Sequence, residues 1–576
     1  MASRHAVLGV VLFVAVIVAL VLAAGLVLRG GPVSAGQATV LVLDAPAVLE
    51  ESQPPPGPFP FSRSWRTRLT VWDVVRGIDH AADDDRVRGI ALHVDTIDWG
   101  WAKVAEVRDA LARFRAQGKP VWVSLTGGGE REYLLATAGS RVTMPPTATL
   151  ELDGLSLTAL FYRGAFDKFG ITPNFAHVGR YKSAVESYTR TGFSPDARAS
   201  MESLLDELYG LLVDSVAVAR HTTPDHVRAL IDDGPYEAPD ARRAGLIDTL
   251  MYQVEMDSTA VRDGSRRAAT TSFARYVDRL EEPRVGPRIA LVVAAGAIVS
   301  GRSRDVPGQG AVMGSDTVVE ALRQARTRRG IRAIVLRVDS PGGSGQASDD
   351  IWREVERCRR VKPVIVSMSD YAASGGYYIA VGADSLVAEP ATLTGSIGVF
   401  GGKLNVVGLL KKVGLSTETI ARGRHAEMLS PFRDFSPEES ARYQHGLEVF
   451  YHGFVARVAR GRGLPEASVD SMGQGRVWTG LAARRRGLVD RIGGLREAFD
   501  MARRRAHVAP DEPLAVETFP HVSRSFMQQV FDTLWSPDDD TQDAAPLPEV
   551  IAAWLEATRF PAGAVMALMP VHLDIR

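Results

Sequence analysis

The sequence predicts two tandem α/β domains with mainly parallel strands, on the strength of three observations. The chain matches itself at an offset of 244 residues, the distance from Asp95 to Asp339. At that offset VRGIALHVD (Val87–Asp95) falls on IRAIVLRVD (Ile331–Asp339), and YLLATAGSRVTMPP (Tyr133–Pro146) falls on YYIAVGADSLVAEP (Tyr377–Pro390). After a two-residue gap, RRAGLID (Arg242–Asp248) matches RRRGLVD (Arg484–Asp490). Self-similarity of this length marks a duplicated domain, a fused pseudo-dimer. Within each copy, helix-like segments alternate with short apolar runs rich in β-branched residues, the pattern of helices layered on a parallel sheet. The composition fits as well: 576 residues, 45% hydrophobic and 23% charged, supply core material for more than one ordinary domain.

The elements follow in order. Ala6–Leu28 is an uncharged apolar run, long enough at about 1.5 Å per residue to cross a hydrocarbon core of about 30 Å. It is too long for the core of a cleaved signal peptide. A transmembrane anchor in the lipid bilayer is therefore expected at residues 6–28, with residues 1–37 as anchor and tether. The first copy is expected over 38–265, opening on TVLVLD at Thr39–Asp44. A charged linker is expected over 266–287. The second copy, 288–505, opens on RIALVV at Arg288–Val293. Residues 506–576 form a C-terminal extension with no counterpart in the first copy, and packing on the main body is the expectation for its apolar VMALMP.

Charge and cysteine content exclude several function classes. The net charge is −1, so no nucleic-acid footprint is expected. Cys358 is the single cysteine, which rules out an intrachain disulfide and a cysteine-built metal site. Neither a cofactor nor a metal is expected.

The two copies differ where chemistry concentrates. The second reads Asp339-Ser340-Pro341-Gly342-Gly343 after the shared strand, where the first reads Asp95-Thr96-Ile97-Asp98-Trp99. Ser374, in Ala373-Ser374-Gly375-Gly376, faces Glu130 of the first copy. Reciprocally, Lys182 of the first copy faces Ala426 of the second. One functional centre assembled from both copies is the economical reading.

Ser374 follows the apolar run VIVSMSD and precedes the helix-like YYIAVGA. This places its oxygen near a helix N-terminus, where negative charge is favoured. Glycines beside it expose amide N–H groups, so Gly375 and either Gly342 or Gly343 are candidate oxyanion-hole donors. Strand C-termini, where Pro341-Gly342-Gly343 lies, are where α/β sheets usually build their sites. Ser374 needs a base, and no histidine stands in a suitable context. Lys182 is the better candidate, provided burial without a carboxylate partner lowers its pKa. Tyr181, Ala184 and Val185 supply apolar surroundings, whereas Glu186 must point away.

Four motifs in order, VGRYKSAVE (178–186), VDSPGG (338–343), AASGGYYIA (372–380) and LTGSIGVF (393–400), resemble the long, duplicated form of the signal peptide peptidase SppA family. The resemblance covers roughly residues 38 to 505. It implies a ClpP/crotonase-like fold in both copies and a Ser-Lys dyad, with Ser374 the nucleophile, Lys182 the general base and Ser396 orienting the lysine amine. It also implies peptide substrates such as cleaved signal peptides, a homo-tetramer and a bacterial inner-membrane location; the charges flanking the apolar run, Arg4 before it and Arg29 after it, place the catalytic body outside the cytoplasm. Ser187 stands where the family commonly has proline, and Tyr378 where it commonly has tryptophan. Two other readings are a crotonase-like acyl-CoA enzyme and a catalytically silent scaffold of the same fold.

Overall fold

The computed structural model describes residues 38–52, 69–262, 268–280, 283, 286–306, 310–509, 512–520, 563–569 and 574–575. In the first copy, strands β1 (Thr39–Asp44), β2 (Val87–Val94), β3 (Val121–Leu125) and β4 (Arg141–Met144) alternate with helices α1 (Val71–Asp83), α2 (Trp101–Ala116) and α3 (Glu130–Ala136). The copy continues through β5 (Thr172–Val178), α4 (Pro195–Ala219), β6 (Thr249–Leu250) and β7 (Ala269–Ser272). Its parallel sheet has the order β7-β1-β2-β3-β4-β6. Such strands are covered on both faces, which is why they read as nearly unbroken apolar runs. The α1 start is fixed by a capping box, Thr70 accepting from the Asp73 N–H and Asp73 accepting from the Thr70 N–H.

The second copy repeats this plan with β8 (Arg288–Ala295), β9 (Ile331–Ser340), β10 (Gly342–Ser344), α5 (Gly345–Arg359), β11 (Val364–Ala373), α6 (Gly375–Ala380) and β12 (Ser385–Ala388). It goes on through β13 (Leu393–Gly395), β14 (Val399–Asn405), α7 (Pro437–Arg462), β15 (Val477–Thr479), β16 (Arg491–Ile492) and β17 (Ala515–Phe519). The path β17-β8-β9-β11-β12-β16 reproduces the order of the first sheet, while β13 and β15 extend from β11 on a branch.

Matched hydrogen bonds confirm the repeat at atomic detail. Tyr133 Oη donates to the Leu246 carbonyl at 2.7 Å, and Tyr377 Oη donates to the Leu488 carbonyl at 2.8 Å. Asp248 accepts from the Val142 N–H and pairs with Arg220; Asp490 accepts from the Leu386 N–H and pairs with Arg462. The two-residue gap in the sequence match therefore falls between α3 and the RRAGLID segment without disturbing the pairing.

Two expected boundaries shift. Residues 269–277, expected in the linker, form the edge strand β7 and a helical turn whose Phe273 and Val277 are buried against the first core. Residues 515–519, expected in the extension, form the equivalent strand β17 beside β8. A polar strand such as ATTS carries no alternating apolar signal, because its position is set by the neighbour that it hydrogen-bonds.

The bacterial inner-membrane, extracytoplasmic placement is corrected. Among the described residues no helix is long and apolar enough to cross a membrane, and residues 6–28 lie outside them. The two longest described helices, α4 and α7, carry several charged residues each and have one buried face against the core.

The copies share one core and a buried polar layer. Ile289, Leu291, Val335 and Phe499 of the second copy join Leu41, Leu92, Leu111 and Phe114 of the first. The Arg337 guanidinium pairs with Glu51 at 2.8 Å and Glu106 at 2.7 Å, and Lys103 pairs with Asp339 at 2.9 Å. Ser367 and Ser369 accept from the same guanidinium. Charges this deeply buried persist only when paired and fully hydrogen-bonded, so the layer fixes how the copies face each other.

Candidate active site

Ser374 sits between the end of β11 and the first residue of α6, with φ of 54°. A side-chain-bearing residue in this left-handed region costs about 1–3 kcal/mol, a cost met only where the surroundings fix the conformation. Here its N–H donates to the Gly395 carbonyl at 2.8 Å, and its carbonyl accepts from the Tyr378 N–H at 2.8 Å. The following glycines are needed for space. A Cβ on Gly375 would lie 2.6 Å from Ser348 Oγ, and one on Gly376 would lie 2.5 Å from the Ser340 carbonyl oxygen.

Lys182 reaches this point across the copies. Strand β5 pairs antiparallel with β14 from Thr172–Asn405 to Val178–Val399, so the chain leaving β5 arrives where β14 begins, beside Ser396. The turn is held by the Lys182 N–H donating to the Gly179 carbonyl at 3.0 Å and the Tyr181 N–H donating to the Gln474 carbonyl at 2.6 Å. Gly475, at φ +78°, backs directly onto Lys182: a Cβ there would lie 2.6 Å from the Lys182 Cα.

The Lys182 Nζ lies 2.8 Å from Ser374 Oγ, 2.9 Å from Ser396 Oγ and 3.1 Å from the Ser396 carbonyl oxygen. Burial pushes the amine well below its ordinary pKa, with no carboxylate opposing the shift. Glu186, four residues on, is turned away and accepts from the Ser194 hydroxyl and N–H. The three contacts use the full donor capacity of the lysine head group, Nζ being directed to Ser374 Oγ and to both the hydroxyl and the carbonyl of Ser396. Ser396 shares the left-handed backbone, at φ 50°. Ser374, Lys182 and Ser396 are all fully buried.

Gly342, Gly343 and Gly375 form one wall beside Ser374. The Gly342 N–H is taken by Ser340 Oγ at 3.2 Å, while the Gly343 amide faces the main chain of Ala567 in the strand ladder and lies beside that of Gly375. A Cβ on Gly375 would fall 3.1 Å from the Gly343 nitrogen, so the two amides are neighbours. The candidates from the sequence are thus brought together, with Gly343 favoured over Gly342.

The equivalent place in the first copy is built differently. Glu130 is the first residue of α3, and its carboxylate accepts from the Asp153 and Gly154 N–H groups at 3.1 and 2.8 Å. Burial raises its pKa. A cleft lined by Trp101, Glu130, Asp153, Asp206 and Tyr209 opens there.

Sequence reasoning missed five contributors. Gly398 offers its carbonyl 3.4 Å from Ser374 Oγ, Gln474 and Gly475 seat Lys182, and Ser340 fixes the Gly342 amide. Gln474 and Gly475 lie almost 300 positions from Lys182 in sequence and carry no chemistry of their own, so no local pattern marked them. The fifth is the C-terminal segment Met566–Leu568, which pairs with β10.

A family model described as peptidase family S49 matches residues 113–261 and 356–509. The chain is 35% identical over 436 residues to "Serine protease SPPA, chloroplastic" of Arabidopsis thaliana, covering 74% of this chain and 64% of the length of that relative. It is 32% identical over 455 residues to "Protease 4" of Haemophilus influenzae, covering 76% of this chain and 73% of that protein. "Protease 4" of Salmonella typhi is 32% identical over 447 residues, covering 75% of this chain and 71% of that one.

Proposed function

Because the chain belongs to peptidase family S49, as an SppA-type protein with tandem domains, we propose that it is a serine endopeptidase working through a Ser-Lys dyad. Its substrates are short, largely apolar peptides such as cleaved signal peptides. The observation that carries this reading is the 2.8 Å contact between Lys182 Nζ and Ser374 Oγ in a buried site without a carboxylate.

In this mechanism the neutral Lys182 amine takes the Ser374 proton as Oγ attacks the peptide carbonyl carbon. The oxyanion accepts from the Gly343 and Gly375 amides; losing one such donor typically costs about 2.7–4 kcal/mol of barrier. Lys182 then returns the proton to the leaving amine, and a water, deprotonated by the same lysine, hydrolyses the acyl-enzyme. Ser396 holds the amine through its hydroxyl and carbonyl, so the lone pair stays aimed at Oγ. The assembly implied by the resemblance, a homo-tetramer, belongs to the same proposal and is read by sedimentation equilibrium.

The test is peptide hydrolysis and labelling by a serine-reactive fluorophosphonate, with and without Ser374→Ala. Hydrolysis and labelling that both vanish in a folded Ser374→Ala protein support the reading. Retention of more than a few per cent of turnover removes Ser374 from the nucleophile's role.

A further inference from the structure

The first copy grips the strands that carry the site at a second place. Helix α2 begins after Gly100, which has no side chain to offer the first N–H groups. Asp370, on β11 of the second copy, takes that role: its Oδ1 accepts from the Ala102 and Lys103 N–H groups at 3.0 Å each. A carboxylate is favoured at a helix N-terminus. Gly100 also makes room for it, since a Cβ there would collide with the Asp370 carboxylate. The Lys103 Nζ lies 2.9 Å from Asp339 Oδ2, 3.5 Å from Asp370 Oδ2 and 3.7 Å from Glu51 Oε1. Asp339 Oδ1 accepts in addition from the Tyr371 N–H at 3.1 Å.

The sheet is irregular at this point. Strands β9 and β11 pair residue for residue from Ile334–Val364 to Val338–Met368 and resume at Ser340–Ala372, so Asp339 alone opposes Ser369, Asp370 and Tyr371. Such a bulge interrupts the ladder and bends the strand that carries it. Just beyond it β9 leads to Gly342 and Gly343, and β11 leads to Ser374. Backbone bonding is therefore sparse where the spacing between nucleophile and glycine amides is set. The ion pairs occupy that gap, with none of the Lys103, Asp339 and Asp370 side chains more than 14% exposed. Asymmetry between the copies points the same way. At the 244-residue offset Lys103 falls on Ala347 and Asp370 falls on Thr126. Helix α5 of the second copy is capped by its own Ser344 instead. Lysine and aspartate are thus divided between the copies in the same sense as Lys182 and Ser374.

We propose that Lys103 is a positioning residue for the reaction: by bridging Asp339 and Asp370 it holds the Gly343 and Gly375 amides in step with Ser374. The inference rests on the proposed peptidase function and gives the first copy a second contribution to it besides Lys182. Lys103 acts through the two strands and touches no substrate. Without its ammonium, Asp339 and Asp370 share one site with no cation between them, because the Arg337 guanidinium is engaged by Glu51 and Glu106. The strand ends then separate, and a displacement of about 1 Å costs on the order of 100-fold in turnover.

The experiment uses the full chain with Lys103→Met and, separately, Asp370→Asn, which keeps an oxygen for the α2 N–H groups but removes the charge that Lys103 meets. In both, kcat should fall about 100-fold while KM stays within about twofold, the mark of an interaction used in the transition state. Fluorophosphonate labelling of Ser374 should slow in parallel. Lys103→Arg, which returns a cation to the two carboxylates, should recover most of the lost kcat. Arg326→Met serves as control: it breaks another buried pair, with Glu354 at 2.9 Å, and should lower Tm with kcat unchanged. Circular dichroism at the assay temperature establishes that each variant is folded, and Asp370→Asn decides the matter if Lys103→Met does not fold. Wild-type kcat in either folded variant, or an equal loss of kcat in Arg326→Met, would overturn the inference and leave Ser374-dependent hydrolysis standing. Absence of hydrolysis from the wild-type chain would instead overturn the peptidase reading.

Discussion

Lys182 Nζ and Ser374 Oγ lie 2.8 Å apart although 192 positions separate the residues in sequence and each belongs to a different copy of the duplicated domain. The contact exists because β5 of the first copy pairs with β14 of the second along its whole length. Neither copy holds both partners: the first has Glu130 in the serine's slot, and the second has Ala426 in the lysine's. The contact is therefore a property of the fused pair.

A lysine base should reveal itself in the pH profile. Burial depresses the Lys182 pKa, so kcat/KM should rise with pH through an apparent pKa well below the free-lysine value of about 10.4. Lys182→Arg should be as inactive as Lys182→Ala, because a guanidinium stays protonated. An active arginine variant would leave the base unassigned.

The same burial makes a stability prediction with a definite sign. The unfolded chain keeps the Lys182 proton up to about pH 10.4, while the folded chain loses it at a lower pH. Between those two values the unfolded state binds one more proton, so stability rises with pH, by about 1.4 kcal/mol per unit. Lys182→Met should remove that slope and raise Tm at neutral pH. Calorimetry from pH 6 to 9 checks it, and parallel curves for the two proteins would contradict it.

Ser396 contributes both a hydroxyl and a carbonyl to the amine. Ser396→Ala removes only the hydroxyl, so the lysine keeps one acceptor and loses part of its aim. A loss of about 10–100-fold in kcat is expected, by analogy with other groups that orient a reacting residue. Since Ser396 acts through Lys182, its loss should also move the apparent pKa of the pH profile; a drop in rate with an unmoved profile would indicate a packing role.

Gly475 offers a test remote from the chemistry in sequence. A methyl group there would collide with the Lys182 backbone, so Gly475→Ala should displace the amine. A displacement of about 1 Å costs on the order of 100-fold in turnover. Wild-type kcat in this variant would show that the turn yields without moving Lys182.

The buried polar layer predicts a large cost for breaking it. Glu51→Ala leaves the Arg337 guanidinium short of its bidentate partner, and removal of one member of a buried pair typically costs about 3–5 kcal/mol. Chemical denaturation should show this loss. A change below about 1 kcal/mol, the range of surface pairs, would mean that water replaces the carboxylate.

By itself the sequence determined the duplication and the α/β class, and it put forward Ser374, Lys182, Ser396 and the glycines as candidates that the fold brings together. Those signals are local or repeat at a fixed offset: strand runs buried on two faces, a serine ahead of two glycines, one lysine absent from the other copy. Tertiary structure alone decided what depends on pairing between distant segments. ATTS at Ala269–Ser272 and AVETF at Ala515–Phe519 became matching edge strands through the neighbours that they hydrogen-bond, not through their own periodicity. The choice of Gly343 over Gly342 turned on Ser340 Oγ occupying the Gly342 amide. The seat of Lys182 on Gly475 and the burial of Ala567 against the glycine wall turned on backbone contacts between segments far apart in the chain. Such contacts are made by main-chain atoms common to every residue, so no residue type announces them before the chain has folded.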